Sequence, residues 1–158
     1  MLKFLELIGL TLLPFLELRA SIPYGVFNTD YSLTTIFLIC TLTNIALAPI
    51  LYLFLNKFVH IFQRVSLFDK YYQKFVLKSQ KKVKKYVDKY GVIGLALFIG
   101  VPLPGSGVYS GALGAYILGF KFKDFLYAAI IGVFIAGVIV LLVSTLGNGV
   151  LGFMLKRI

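Results

Sequence analysis

Two opposite charges lie two residues apart inside an apolar stretch near the start of this sequence. Glu17 and Arg19 fall within residues 2–27, most of which are apolar. Each charge costs at least about 2.5 to 3.5 kcal/mol at the centre of a membrane helix, so charges there point to a functional site. A guanidinium can hold a phosphate through two parallel hydrogen bonds, and a carboxylate can carry a proton. An internal ion pair is the alternative explanation.

The spacing of this pair predicts an extended local backbone. Side chains at positions i and i+2 do not face one another on a helix, but they lie on the same side of a strand. Pro23 follows closely, and the residue before a proline is biased away from the helical conformation. We therefore expect an unwound tip before Pro23 that points Glu17 and Arg19 into one cavity.

A second polar break, residues 102–107, interrupts another apolar stretch with the sequence Pro-Leu-Pro-Gly-Ser-Gly. Its glycines permit the positive φ values of a tight loop of backbone N–H groups. A helix that begins at Val108 would point its positive N-terminal end at the break. The pattern predicts an anion site to which Ser106 adds a hydroxyl. A plain turn is the alternative, although irregular backbone at membrane depth is tolerated only where protein or water satisfies it.

The elements that must position these groups are four apolar blocks, residues 2–27, 32–62, 91–120 and 125–154. The second contains 25 consecutive uncharged residues and the fourth contains 30, and about 20 suffice to cross a bilayer as a helix. These two blocks are predicted to be transmembrane helices. Prolines break the first and third blocks near their middles, so each limb is long enough to reach mid-membrane and no further.

Composition excludes an ordinary soluble domain and most nucleic-acid binders. Of the 158 residues, 59% are hydrophobic and 14% charged, which is more apolar surface than a soluble chain of this length could bury. The net charge is +10, and ten of the sixteen basic residues lie within residues 57–89. An anionic lipid surface is the expected partner, since no nucleic-acid recognition fold surrounds that segment. Residues 63–90 are predicted to form a basic amphipathic connector helix, or else a solvated linker.

Charge at the loops predicts the topology. The positive-inside rule places the basic connector in the cytoplasm of a multi-pass plasma-membrane protein. Lys121 and Lys123 remain on the same side only if residues 91–120 dip into the membrane and return. By the same logic, residues 2–27 form a hairpin that opens to the outside.

The two halves of the chain therefore predict an inverted repeat. Residues 1–62 and 91–154 each form a re-entrant hairpin followed by a span, within one all-α membrane domain over residues 1–158. A shift of 89 residues pairs Ser21 with Ser110 and Gly25 with Gly114. Transporters use inverted repeats to place a site at the midplane.

Neither a metal nor a cofactor is expected. Cys40 is the single cysteine of the sequence and lies among apolar neighbours. One chain can therefore build neither a disulfide nor a cysteine-based metal site.

The sequences of Glu17–Gly25 and Pro102–Gly111 resemble those of the small multidrug export protein family, and the resemblance covers nearly the whole chain. That family is distantly similar to the DedA/VTT superfamily, whose members have paired re-entrant hairpins and are implicated in moving lipids, including polyprenyl phosphates. The resemblance implies lipid or amphiphile translocation. Ser106 stands where DedA proteins typically carry an acidic residue, so a second carboxylate is missing. The residues expected to form the substrate site are Glu17, Arg19, Ser21, Pro23, Pro102, Pro104, Gly105, Ser106, Gly107 and Tyr109.

The predicted function is movement of an anionic lipid, such as a polyprenyl phosphate or a phospholipid, between the two leaflets. A homo-oligomer, most simply a dimer, is expected because two spans and two half-depth hairpins enclose little space. Proton-coupled export of small amphiphilic drugs is the alternative within transport. A membrane scaffold or a membrane enzyme is the alternative outside it. An enzyme, which we do not expect, would have to use Ser106, Tyr109 or Glu17.

Overall fold

The residues that the structure describes form six helices and no strand. The computed structural model describes residues 2–14, 16–62, 90–102 and 106–155. The helices are α1 (Leu2–Leu12), α2 (Glu17–Asn28), α3 (Leu33–Phe62), α4 (Tyr90–Gly100), α5 (Val108–Leu118) and α6 (Phe122–Leu155). The all-helical prediction is confirmed. The predicted connector at residues 63–90 lies, except for Tyr90, outside the described residues.

α3 and α6 are the two long apolar helices that the sequence predicted. Their apolar parts, Leu33–Lys57 and Phe122–Gly147, contain 25 and 26 residues, and about 20 residues span the hydrocarbon core of a bilayer. The outward faces of both helices stay apolar, since Ile50 is 62% exposed and Leu142 is 56% exposed. Apolar faces this extensive are rare on soluble proteins. The protein is therefore a membrane protein.

α1 and α2 fold back on each other around a break at residues 13–16. Near the break, Thr11 Oγ1 donates a hydrogen bond to Ser21 Oγ at 2.6 Å. At the far ends of the two helices, the Tyr24 hydroxyl donates to the Glu6 carboxylate. These pairs run in opposite chain directions, so α1 and α2 form an antiparallel helical hairpin, hairpin 1.

The predicted extended tip before Pro23 is wrong. α2 begins at Glu17 and continues through Pro23 to Asn28, and the chain breaks earlier, around Pro14. A proline inside a helix costs about 3 kcal/mol. Packing outweighs that cost here, since Leu18 and Ile22, in the turn of α2 that precedes the proline, are fully buried.

α4 and α5 form a second antiparallel pair, hairpin 2. Gly111 of α5 packs so closely on Ile99 of α4 that a Cβ at Gly111 would lie 2.5 Å from Ile99 Cγ1. At the other end of the pair, Gly91 of α4 and Leu118 of α5 line the same cavity. Glycine at position 111 is what allows the two helices to approach at the break, since a small residue lets helix backbones come close together.

The two hairpins contact α3 at different levels along its length. Gly25 of hairpin 1 lies against Ile36, with 2.6 Å between Ile36 Cγ2 and a Cβ built on the glycine. Sixteen residues farther along α3, the Tyr52 hydroxyl donates to the Phe120 carbonyl, just after hairpin 2, at 2.6 Å. At 1.5 Å per residue these levels are about 24 Å apart. The open ends of the hairpins therefore lie toward opposite ends of α3, and their breaks lie between those levels.

α6 runs antiparallel to α3 and joins the two halves of the core. The Phe125 ring stacks on Tyr52 with 5.3 Å between ring centroids, whereas Gly137, twelve residues later, lies against Phe37 and Thr41. Between them, Gly132 packs on the Ala96 carbonyl and Ile99 of α4. Small residues thus let α6 contact both α3 and hairpin 2 at close range.

Candidate functional site

The breaks of the two hairpins meet through a cluster of polar contacts. Glu17 of hairpin 1 reaches the first residues of α5, and Arg19 reaches the segment that joins α4 to α5. In the reverse direction, the Tyr109 hydroxyl of hairpin 2 donates to the Leu12 carbonyl at the end of α1, at 2.5 Å. Three side chains therefore tie the breaks together. We call Glu17, Arg19, Ser106, Gly107 and Tyr109 the tip cluster.

The Glu17 carboxylate caps the N-terminus of α5. Its Oε2 accepts from the Val108 N–H at 3.3 Å, and its Oε1 accepts from the Tyr109 N–H at 3.2 Å. These are two of the N–H groups that a helix leaves without an intrahelical partner, and the positive end of the helix favours a negative charge there. Glu17 is only 3% exposed. Its charge is therefore held at this position by hydrogen bonds and by the dipole of α5, and not by water.

Gly107 makes that approach possible. Its φ of 118° and ψ of −170° lie in a region that is essentially restricted to glycine. A Cβ at this position would lie 2.8 Å from Glu17 Oε1 and 2.9 Å from Cδ. Gly107, in the N-cap position of α5, supplies no side-chain hydrogen bond of its own. A carboxylate 90 residues earlier in the sequence takes the place of the missing local cap.

Glu17 itself has a positive φ of 47°. For a residue with a side chain, this left-handed conformation costs roughly 1 to 2 kcal/mol. Glu17 is the first residue of α2 after the break, and its N–H donates to the Leu13 carbonyl at 3.2 Å. Backbone strain at a polar buried residue is typical of positions that the surrounding structure holds in place for a function.

Arg19 contacts the opposite helix end of hairpin 2. Its Nη1 donates to the Ser106 carbonyl at 2.8 Å, and its Nη2 donates to Ser106 Oγ at 2.8 Å and to the Val101 carbonyl at 3.4 Å. Val101 directly follows α4, so the guanidinium lies at the negative C-terminal end of that helix. Ser106 Oγ also donates to the Val101 carbonyl at 2.5 Å. Ser106 thus links Arg19 to the end of α4.

The charges of hairpin 1 therefore match the helix ends of hairpin 2 by sign. The carboxylate lies at the start of α5, and the guanidinium lies at the end of α4. The sequence reasoning required both side chains to point the same way from an extended strand. They reach two different helix ends instead, so a helical backbone in α2 serves both contacts.

The N–H groups predicted to receive an outside anion are the groups that Glu17 occupies. The helix start at Val108 was predicted, and α5 does begin there. What the sequence reasoning missed is that a carboxylate from hairpin 1 would fill the site. The signals available in the sequence were an acidic residue in one apolar block and a glycine-rich helix start in another. Only the tertiary structure shows that the two are in contact.

The remaining residues of the predicted site lie in different places. Ser21 belongs to the interior of hairpin 1, where its hydroxyl donates to the Glu17 carbonyl at 3.2 Å. Pro23 lies inside α2, half-buried, and Pro102 is half-buried just beyond Val101. Pro104 and Gly105 lie outside the described residues. The backbone groups of Leu12, Val101 and Val108 complete the contacts and were not among the predicted site residues.

A second buried polar group lies on α3. Asn44 is 1% exposed, and neither polar atom of its amide has a hydrogen-bond partner within the described part of the chain. Among the same residues, no group of three or more His, Cys, Asp or Glu side chains could hold a metal ion. The polar interior of the described protein therefore consists of the tip cluster, the Thr11 and Ser21 pair, and polar side chains of the two long helices.

Comparisons with known proteins identify one family. No curated protein and no solved structure matches the chain. One family model matches residues 17–139, so it begins at Glu17, directly after the first break, and includes α2, α3, the second break and the first half of α6. Because that match covers well over half of the sequence, the chain belongs to the family described as "Putative small multi-drug export protein".

Proposed function

We propose that this protein is a transporter that moves an amphiphile with an anionic head group, such as a polyprenyl phosphate or a phospholipid, between the leaflets of the plasma membrane. The family description supports a transporter-like role. The observation that carries the proposal is the Glu17 carboxylate at the start of α5, with Arg19 beside it. It is a buried site for an anion with a cation close by, filled by a residue that can be neutralised.

We further propose that both hairpins are re-entrant and form an inverted repeat. α1, α2 and α5 contain 11, 12 and 11 residues, or about 17 Å each at 1.5 Å per residue, roughly half of a 30 Å hydrocarbon core. The separation between Ile36 and Tyr52 along α3 supports open ends at opposite faces. The tip cluster would then lie near mid-depth, where transporters with inverted repeats bind their substrates.

The proposed mechanism is an exchange of anions at the start of α5. An incoming phosphate head group takes the Val108 and Tyr109 N–H groups and pairs with Arg19, whose planar guanidinium suits a phosphate. Glu17 then loses its hydrogen bonds, and an ionised carboxylate without them is costly in this environment. Glu17 therefore takes up a proton from water as the head group binds and returns it to water when the head group leaves.

Three further parts of the proposal follow from the sequence. The basic segment at residues 57–89 faces the cytoplasm, a dimer encloses the path, and the chain is a distant relative of the DedA/VTT proteins. The apolar outward faces of α3 and α6 are available to a second copy or to lipid.

Export of small amphiphilic drugs is the second candidate, favoured by the family description. A cationic drug would not compete with Glu17 for backbone N–H groups, and Arg19 would repel it. An enzymatic role would need Ser106 or Tyr109 as a nucleophile. The Ser106 and Tyr109 hydroxyls both donate to backbone carbonyls, those of Val101 and Leu12, which favours a positioning role for both.

The test is transport in vesicles that contain the purified protein. A fluorescent phosphatidate in the inner leaflet becomes accessible to an outside quencher when it moves, and a fluorescent phosphatidylcholine serves as the zwitterionic comparison. We expect the protein to speed the movement of the phosphatidate but not that of the phosphatidylcholine. We expect Arg19→Gln to abolish this effect. Equal movement of both lipids, or full activity in Arg19→Gln, would exclude the proposed site. Movement of a cationic dye, without movement of the phosphatidate, would support drug export instead.

A further inference from the structure

An apolar cleft separates α4 from α5 within hairpin 2. It has a volume of about 390 Å³ and is lined mainly by carbon atoms. Three of its lining residues, Gly91, Gly94 and Gly114, have no side chain to fill it. A Cβ at Gly114 would meet nothing within 4 Å. The helices of hairpin 2 touch at Gly111, but open space remains beside Gly114.

The cleft begins next to the tip cluster. Ser110 lines it and directly follows Tyr109, whose N–H donates to Glu17. From Ser110 the cleft continues along α5 to Leu118, eight residues and about 12 Å away. There it adjoins a second cavity of about 330 Å³, which shares Leu118 and Phe120 with it and reaches Lys121. An apolar path thus leads from the anion site to the open end of hairpin 2.

The lining excludes a polar occupant. Small-molecule sites of this volume usually combine apolar walls with a few polar groups that orient the ligand. Here the walls offer almost no hydrogen-bonding groups, while the polar groups lie beyond one end, in the tip cluster. A polar molecule inside the cleft would lose its hydrogen bonds to water without replacement. A flexible hydrocarbon chain fits these walls, and glycines allow it to pack on bare helix backbone.

We propose that this cleft binds the hydrocarbon chain of the amphiphile whose head group occupies the tip cluster. This inference rests on the proposed function and adds the recognition of the tail. Hairpin 2 then contacts both the head group and the tail, Arg19 of hairpin 1 completes the head-group site, and Ser110 lies at the boundary between the two parts. The occupant is the chain of a bound amphiphile, and not residues 63–89 or a second copy of the protein.

Gly114→Leu tests the inference by filling the cleft. The matched control is Gly9→Leu in α1, since a Cβ at Gly9 also meets nothing within 4 Å. Both variants replace a helical glycine with a good helix former, so both should fold. In the vesicle assay with long-chain phosphatidate, we expect Gly114→Leu to slow movement at least about tenfold. This corresponds to a loss of roughly 1.4 kcal/mol of binding free energy. Gly9→Leu should keep the wild-type rate.

The outcomes separate this inference from the function on which it rests. If Arg19→Gln stops transport but Gly114→Leu does not slow it, the tail site is wrong and the proposed function stands. If neither variant affects transport, both proposals fail. Equal slowing by Gly114→Leu and Gly9→Leu would show a general effect of an added side chain and would also overturn the tail site.

A second measurement uses the unaltered protein and so does not depend on the folding of a variant. A long-chain alkyl phosphate with a photoreactive diazirine at its tail end is irradiated with the protein in vesicles, and the labelled residues are located by mass spectrometry. Labelling of Leu118 and Phe120 that excess unlabelled alkyl phosphate suppresses supports the inference. Labelling confined to the outward faces of α3 and α6, or unaffected by competitor, overturns it. An unlabelled cleft, the result expected if residues 63–89 or a second copy of the protein covered it, would also overturn the inference.

Discussion

The Glu17 carboxylate accepts a hydrogen bond from the Tyr109 N–H at 3.2 Å, although the two residues are 92 positions apart in the sequence. The contact joins the break of hairpin 1 to the start of α5. It gives a buried charge the hydrogen bonds that make burial tolerable, and it supplies α5 with the cap that its own segment lacks. One contact therefore stabilises both hairpins and occupies the proposed site for a substrate anion.

Removing the Glu17 side chain should destabilise the protein. Glu17→Ala leaves the Val108 and Tyr109 N–H groups without acceptors in a buried position, which costs about 1 to 3 kcal/mol for each unpaired group. We expect a lower free energy of unfolding in detergent micelles. The matched control is Glu6→Ala, because Glu6 is an exposed carboxylate whose contacts, an ion pair with Lys3 and a hydrogen bond from Tyr24, are open to solvent and therefore contribute little to stability. An equal loss in both variants would contradict the capping role.

Glu17→Gln tests the proton exchange. An uncharged amide cannot ionise, so transport should no longer change with a pH difference across the vesicle membrane. The phosphatidate assay at equal and unequal pH measures this, with the wild type as the comparison. Retained pH dependence in Glu17→Gln would assign the coupling to another group.

Gly107→Ala should be strongly destabilising. The backbone conformation at Gly107 costs about 1 to 3 kcal/mol for a residue with a side chain, and the new methyl group would also displace the Glu17 carboxylate. Gly114→Ala is the control, because its Cβ enters open space and the helix gains roughly 0.5 to 1 kcal/mol from replacing glycine. Thermal unfolding of the two variants should shift in opposite directions, and similar shifts would argue against this geometry.

Arg19 and Ser106 should be energetically coupled. The pair shares two contacts of 2.8 Å, one to the carbonyl and one to the hydroxyl of Ser106. A double-mutant cycle with Arg19→Gln and Ser106→Ala removes the hydroxyl contact, and we expect a coupling free energy of about 0.5 to 3 kcal/mol. Unfolding of the wild type, both single variants and the double variant gives this value. Additive effects would mean that the hydroxyl contact contributes nothing measurable.

Asn44→Leu should stabilise the protein. The amide is buried and without a partner in the part of the chain that the structure describes, and an unsatisfied buried polar group costs about 1 to 3 kcal/mol. Leucine has the same number of side-chain heavy atoms in the same branched arrangement and no polar atom. We expect a higher unfolding temperature, with Thr41→Val, which removes another buried oxygen without a partner in the same part of the chain, as the companion variant. A lower unfolding temperature for Asn44→Leu would indicate that the amide binds a group, such as water.

The sequence by itself determined the class of the protein and the residue types at the site. Uninterrupted apolar runs predicted α3 and α6, because a stretch of 25 or more uncharged residues is long enough to cross the hydrocarbon core of a bilayer as a helix. Prolines and glycines predicted two breaks, and the charges at positions 17 and 19 are the basis of the prediction that the first of them is a functional site. These predictions use only the chemical properties of residues that are near one another in the chain, and those can be read from the sequence.

Only the tertiary structure decided which group meets which. The sequence reasoning placed the first break near Pro23, but buried packing of Leu18 and Ile22 outweighs the local effect of a proline, and the break lies at residues 13–16 instead. The sequence reasoning also predicted that an outside anion would bind at the start of α5, whereas the Glu17 carboxylate accepts the hydrogen bonds of the N–H groups there. Such pairings depend on how two hairpins approach each other through Gly107 and Gly111, and that approach is a property of the packed chain.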